Sequence, residues 1–246
     1  MKNNFIFILL ALIIVSAGCN VAYVPNRHNV PLMQEKGDAN INISTTNVQG
    51  AYALTDKFAV MGNMYFRDNT WDASADTLSD WSYQANRFLA EGALGYYKPM
   101  GDNGSFETYA GGGMGSIRFE MKDDDPYGDR LYKANISRFF IQPDIGYKSD
   151  YFDFIFSAKF SYLGFNNVDT TNYKPSALVE DNLYKLDKQP FFFFEPAITI
   201  RFGYKYIKAY SQAIIAKKLN PERINYRSFG VNVGLEIDIS EIIYRM

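Results

Sequence analysis

The sequence is poor in the residues on which many enzymes and metal sites depend. Its 246 residues include one cysteine and one histidine. A single cysteine excludes an intramolecular disulfide, and a catalytic site that needs an imidazole base depends on His28 alone. The formal net charge is -2, so the chain lacks the basic excess typical of proteins that recognise nucleic acids. We therefore expect no nucleic-acid partner, and we predict no cofactor.

The sequence also lacks an apolar run long enough to cross a bilayer as a helix. The run FIFILLALIIV at 5–15 is shorter than the roughly 20 residues that a spanning helix needs. It follows Lys2 and precedes small residues, which is the pattern of a secretory signal peptide. We expect 1–18 to be that signal peptide.

The block SAGC at 16–19 resembles a bacterial lipobox, in which a peptidase cuts before a cysteine that receives a diacylglycerol. Ser16 stands where leucine is commoner. The resemblance implies that Cys19 is lipidated and that 19–37 form a lipidated N-terminal tether. The alternative is an ordinary secretion signal with an incidental cysteine.

Aromatic side chains are abundant, at 17% of the chain. In several stretches they alternate with polar or small residues, and this period of two predicts strands with two different faces. In 152–162, for example, every second residue is Phe, Ala or Tyr, and the residues between include Asp, Ser and Lys. Such stretches match the length of a tilted strand that crosses a membrane.

Polar turns divide these stretches into hairpins, with short turns at one end and longer polar stretches at the other. The sequence predicts ten strands, at 38–46, 48–54, 58–67, 87–98, 105–119, 134–148, 151–164, 190–205, 207–217 and 225–239. The expected fold is all-β, an antiparallel up-and-down transmembrane β-barrel of about ten strands at 38–246. If 38–54 is a single strand, the count is nine.

Pro143 and Pro196 fall inside predicted strands. Because proline has no backbone N–H to donate to a neighbouring strand, we expect a β-bulge at each.

The alternation alone does not show which face is outside. A soluble barrel of the lipocalin kind turns its apolar face inward. Here one face is crowded with Phe and Ile, whereas the other is rich in Gly, Ser, Ala and Asn. Large aromatic residues suit lipid and small residues suit a confined interior, so we favour a membrane barrel over a soluble periplasmic barrel or sandwich. Four tyrosines near the short turns match a membrane-interface girdle: Tyr52, Tyr96, Tyr147 and Tyr204.

The pattern resembles the outer-membrane β-barrel proteins of Gram-negative bacteria. Its most specific motif, NVGLEIDI at 232–239, is similar to the β-signal that the barrel assembly machinery reads. The family usually ends soon afterwards on Phe or Trp, whereas here Tyr244 is the last aromatic residue. The resemblance implies an outer-membrane location with membrane lipid as a partner. Short turns of bacterial barrels face the periplasm, so an even strand count predicts a periplasmic N-terminus and C-terminus.

The polar face carries charges that we expect in the lumen. Opposite charges inside a narrow barrel are expected to pair, and the alternative is that they line an ion path. Side chains nearly fill an eight-stranded barrel, so ten strands leave little open water. The candidate charge network comprises Glu91, Arg138, Asp144, Asp153, Lys159, Glu195, Arg201 and Glu236.

Two long polar stretches carry further candidates. Trp71, Trp81 and Tyr83 form a candidate partner-binding loop, because aromatic residues often anchor protein partners. The acidic cluster at 122–130 does not have the spacing of a calcium loop, and we predict no metal site.

Small outer-membrane barrels include lipid-modifying enzymes, which need a histidine base beside a serine or a carboxylate. His28 precedes the first predicted strand and is expected in a solvated linker, so we predict no catalytic residue. The expected function is that of a non-catalytic structural or partner-binding component of a cell-envelope complex. A narrow channel or small-ligand carrier is the alternative, and a membrane-lipid-modifying enzyme is a less favoured one.

Overall fold

A computed structural model of the chain describes residues 21–73, 81–123 and 129–243. They form an all-β fold, a closed antiparallel barrel of ten strands. The barrel closes where β11 pairs with both β1 and β9. The predicted fold class and strand count are therefore confirmed, and 38–54 contains two strands.

The strands follow one another around the barrel in chain order. Their bounds are β1 (Ala39–Ser44), β2 (Asn47–Ala53), β3 (Phe58–Ala73), β4 (Trp81–Met100), β5 (Gly104–Asp123), β6 (Arg130–Tyr147), β7 (Phe152–Asp169), β8 (Phe191–Tyr204), β9 (Ile207–Ile215), β10 (Lys217–Lys218) and β11 (Phe229–Asp238). The short β10 adds only a pairing with β8. Two helices, α1 (Pro175–Glu180) and α2 (Ile239–Ile243), and a 3-10 helix, η1 (Leu186–Lys188), complete the described elements. None of the described helices has the length and apolar character needed to span a membrane.

The barrel wall is much taller on one side than on the other. β4 and β5 have 20 residues each, whereas β1 has 6 and β2 has 7. The end of the barrel with the longer connections is called the long-loop end, and the opposite end is called the short-turn end. At the long-loop end, β3 and β4 extend through residues 68–73 and 81–86, which the sequence predicted to be loop. The strands continue because their inward side chains build an apolar cluster there, which includes Tyr83, Phe119 and Tyr132.

The outward face of the barrel is apolar. Phe139, Ile141 and Phe160 are each at least half exposed, while the residues between them point inward. The four tyrosines near the short turns are outward-facing and exposed as well. The prediction that the alternating Phe and Ile positions of these strands face outward is confirmed at Phe139, Ile141 and Phe160.

The two strand prolines do not produce bulges, so that prediction is wrong. Pro196 pairs with Ala158, and Pro143 pairs with Thr108, in ladders without a register shift. Between β6 and β7 the pairing is interrupted opposite Pro143, but the register on the two sides of the gap is the same. The missing proline donor is thus accommodated by a local opening of the ladder and not by an extra residue.

The segment before β1 occupies the lumen. Residues 21–33 are almost all buried, and the segment runs from the long-loop end, at Val21, to the short-turn end, at Met33. The expectation of a solvated linker in the predicted tether 19–37 is therefore wrong for residues 21–33, whereas Glu35 and Lys36 are exposed. The physical reason is that Asn, Arg and His side chains of this segment find partners among the polar lumen residues.

The path of this segment also separates the two ends of the described chain. β1 starts at the short-turn end, because it runs toward the opposite end before β2 returns to the short turn that precedes β3. β11 ends beside the start of β1, since Asp238 pairs with Asn40. The segment before β1 then crosses the barrel once more, inside it. Val21 consequently lies at the long-loop end and α2 at the short-turn end, contrary to the expectation that an even strand count brings both ends together.

Candidate functional site: the filled lumen

The lumen segment, defined as residues 21–34, is held at both ends by the barrel. At the long-loop end, Arg87 donates to the carbonyl of Val21 at 2.7 Å, and the amide of Arg227 donates to the carbonyl of Tyr23 at 2.9 Å. At the short-turn end, Ser105 donates to the carbonyl of Met33 at 3.0 Å. The segment is therefore attached along the full height of the lumen.

The first group of charges, the upper cluster, comprises Glu91, Arg138 and Glu195. Arg138 donates to Glu91 at 3.0 Å and also forms an ion pair with Glu195, with all three side chains almost fully buried. Two residues of the lumen segment complete the cluster. The Tyr23 hydroxyl donates to Glu195, and the Asn26 amide donates to Glu91 at 2.5 Å.

A glycine makes the upper cluster possible. Glu91 and Arg138 lie on β4 and β6, and Gly113 of β5 lies directly between them in the register. A Cβ atom at Gly113 would be 2.7 Å from Cγ of Glu91 and 2.4 Å from the carbonyl oxygen of Ala90. The absence of a side chain at this position leaves room for the Glu91 side chain that accepts from Arg138.

Below the upper cluster, His28 is held between β7 and β9. Its Nδ1 atom lies 2.7 Å from Oγ of Ser157. Its backbone amide donates to the side chain of Gln212 at 2.9 Å, and its carbonyl accepts from the same side chain at 3.1 Å. His28 is fully buried, so the prediction of a solvated linker histidine is wrong.

The second group of charges, the lower cluster, comprises Asp153, Arg201, Lys208 and Glu236. Lys208 pairs with Asp153 at 2.6 Å, and Arg201 lies 3.6 Å from Asp153 and pairs with Glu236. Arg201 also donates to the carbonyl of Val30. The lower cluster thus connects four strands, β7, β8, β9 and β11, and the lumen segment.

Asp144 and Lys159, the remaining two of the predicted lumen charges, are buried but form no ion pair among the described residues. Asp144 accepts a hydrogen bond from Gln142 at 2.9 Å. Lys159 lies 4.6 Å from the ring centroid of Phe140, a distance that allows a cation–π interaction. The eight predicted side chains therefore all lie in the lumen, and six of them form two separate ion-pair clusters.

Sequence reasoning missed several polar residues of the lumen. Lys208 and Glu107 are buried, and alternation with their outward neighbours Ile207 and Phe106 could have placed them there. No comparable signal was present for His28 or Arg27, because the segment that carries them has no periodicity. Their positions follow only from the three-dimensional contacts.

The His28–Ser157 contact has the spacing of a base and a nucleophile. Among the described residues, however, both side chains are fully buried. The geometry positions the segment and does not form an accessible catalytic pair. Among the described residues there is also no group of three or more His, Cys, Asp or Glu that could hold a metal ion.

The candidate partner-binding loop has a different structure from the one predicted. Trp71 pairs with Tyr83 in the β3–β4 ladder, and Trp81 begins β4. Tyr83 is buried and stacks with Phe119 at a centroid distance of 6.3 Å, so it is not available at the surface. The side chains of Trp71 and Trp81, and Cys19 with the whole of 1–20, lie outside what the structure describes. The same holds for 124–128 of the acidic cluster.

The comparisons with known proteins do not assign a function. No protein-family model matches the chain, and no curated protein matches it in sequence.

Proposed function

We propose that this protein is a lipid-anchored outer-membrane β-barrel and acts as a non-catalytic structural or partner-binding component of a cell-envelope complex. The observation that carries the proposal is the filled lumen. The lumen segment is hydrogen-bonded to the wall from Val21 to Met33. In the part of the barrel that the structure describes, this segment occupies the space that a transport path would need, which favours a structural or partner-binding role over a channel.

Two features support the membrane location. The outward face carries exposed Phe, Ile and Met side chains over the height of the barrel, and the signal-peptide and SAGC patterns at 1–19 favour export and lipidation at Cys19. In the orientation that we propose, the short turns and the C-terminus face the periplasm. Val21 then lies at the outer end of the barrel, opposite to the end at which β11 finishes.

The long-loop end offers exposed apolar side chains for a partner. Val179 of α1, Tyr184 and Leu219 are each more than two fifths exposed. Val179 and Tyr184 belong to the segment between β7 and β8, whose leucines Leu178, Leu183 and Leu186 are buried. Leu219 instead lies at the barrel wall, where its backbone amide donates to the carbonyl of Phe192. Exposed apolar side chains at this end suit a protein contact.

Photo-cross-linking in intact cells tests this role. A photoreactive amino acid at Val179 or Tyr184 is expected to yield a defined cross-linked protein band, while the same amino acid at Asp102, which is exposed at a short turn, serves as a control for the other end. Capture of no protein from either end would contradict a partner-binding role. Loss of a lipid-modifying activity in a folded His28→Ala variant would favour the enzyme alternative.

A further inference from the structure

A group of arginines lies at the long-loop end without described acidic partners. Arg67 and Arg87 occupy directly paired positions on β3 and β4. Both belong to the inward face, because Phe66 and Phe88 next to them point outward. Like charges directly opposite each other destabilise an antiparallel pair, so this pairing needs a compensating interaction.

The hydrogen bonds of these two side chains do not supply a negative charge. Arg87 donates through Nε and Nη2 to the carbonyl of Val21. Arg67 donates through Nε to the side chain of Asn69 at 3.2 Å. Among the described residues, no carboxylate lies within ion-pair distance of either.

Arg227 brings a third guanidinium group to the same place. Its backbone amide bonds to Tyr23, and its Nε atom is buried without a hydrogen-bond partner. Burial and the neighbouring Arg67 and Arg87 lower the pKa of Arg227, which agrees with a crowded positive cluster.

Arg27 of the lumen segment lies beneath this cluster. It is 2% exposed, and its Nε and Nη1 atoms have no hydrogen-bond partner. Its guanidinium carbon lies 3.1 Å from the ring centroid of Tyr210. A buried guanidinium group with free donors is costly unless an acceptor reaches it.

Three of these four arginines line one cavity. Arg27, Arg67 and Arg227 line it together with Tyr65, Asn47 and Asn232, and no described Asp or Glu lines it. Its volume is about 50 Å³, which accommodates a few water-sized atoms at roughly 10–15 Å³ each. That is the size of a small tetrahedral oxyanion.

The cavity lies on the side of the barrel where the strands are short. Thr46, in the turn between β1 and β2, and Gly230 and Val231, at the start of β11, also line it. Val231 is more than half exposed on the apolar outer face. If the barrel is embedded as proposed, the cavity lies near the level of lipid headgroups at the long-loop end.

We propose that Arg27, Arg67 and Arg227 form a binding site for a phosphate group, carried either by free phosphate or by a lipid headgroup. Guanidinium groups bind phosphate with paired, charge-assisted hydrogen bonds. A bound phosphate would offset the repulsion between Arg67 and Arg87 and would satisfy the free donors of Arg27. The site itself does not depend on the proposed function, whereas the lipid source does.

The test uses the full chain refolded in two bilayers, one of phosphatidylcholine and one of digalactosyldiacylglycerol, which contains no phosphate. In the second bilayer, inorganic phosphate added at constant ionic strength is expected to raise the Tm in a saturable way. In the first, phosphatidylcholine is expected to be retained through detergent extraction, as measured by native mass spectrometry. Either result supports the site and identifies its source.

Arg67→Gln and Arg227→Gln are each expected to weaken the effect about tenfold or more, since a charged hydrogen bond is lost. Arg223→Gln, an exposed arginine outside the cavity, is the matched control and is expected to bind normally. Arg67→Lys, which keeps the charge, checks that a loss of binding is not a loss of folding. Absence of both effects in the parent protein, or an equal loss in Arg223→Gln, would overturn the proposal.

Discussion

Nδ1 of His28 lies 2.7 Å from Oγ of Ser157, although the two residues are 129 positions apart in the chain. Ser157 belongs to the wall of the barrel and His28 to the segment that precedes its first strand. Their contact therefore shows the main feature of this molecule, which is a barrel filled by its own N-terminal region. Gln212 adds two hydrogen bonds to the backbone of His28 and fixes its position.

The His28–Ser157 contact is expected to stabilise the folded barrel. In a double-mutant cycle with His28→Ala and Ser157→Ala, we expect a coupling of about 1 kcal/mol, because each single variant leaves a buried polar group without its partner. Urea unfolding of the refolded protein in detergent or lipid measures this quantity. Additive effects of the two substitutions would mean that the side chains do not interact.

Arg138 is expected to be far more important for stability than an exposed arginine in an equally short ion pair. Arg138→Met leaves Glu91 and Glu195 buried without their ion-pair partner, which costs about 3–5 kcal/mol. Arg118→Met is the matched control, since Arg118 pairs with Glu120 at 2.8 Å with a side chain that is 47% exposed, and its loss costs about 0–1 kcal/mol. Unfolding midpoints in denaturant compare the two, and equal losses would contradict the buried arrangement of the upper cluster.

Gly113 is expected to tolerate no side chain. In Gly113→Ala the new methyl group would meet the backbone of Ala90 and the side chain of Glu91, and we expect a loss of roughly 1–3 kcal/mol from overpacking. Gly92→Ala is the control on the neighbouring strand, because its nearest contact would be 3.9 Å away. The same unfolding assay applies. A Gly113→Ala variant as stable as Gly92→Ala would contradict the close approach of Ala90 and Glu91 to Gly113.

The strands could be predicted because the alternation of apolar with polar or small residues is visible within a single strand. In β7, Phe154, Phe156 and Phe160 alternate with Ser157 and Lys159, and this pattern alone assigns the outer and inner faces. The same parity places Glu195 and Arg201 inside, where both are fully buried.

The contacts of the lumen could not be predicted in this way. That Arg138 reaches Glu91 depends on the register of two ladders and on the glycine between them. The lumen segment has neither periodicity nor a motif, because it lies in a cavity that other residues shape and forms almost no regular secondary structure. The polar sequence of this segment is equally compatible with a solvated linker. Only its contacts with Ser157, Gln212 and the two charge clusters show that it is buried.

Single-channel recording in planar lipid bilayers tests the central claim most directly. We expect the full chain to insert without conductance steps, because the lumen segment fills the barrel from Val21 to Met33. A variant that lacks residues 21–34 is expected to give steps, provided that its barrel is folded, as judged by its β-sheet circular dichroism and resistance to protease. Steady open conductance from the full chain, equal to that of the shortened variant, would contradict the account.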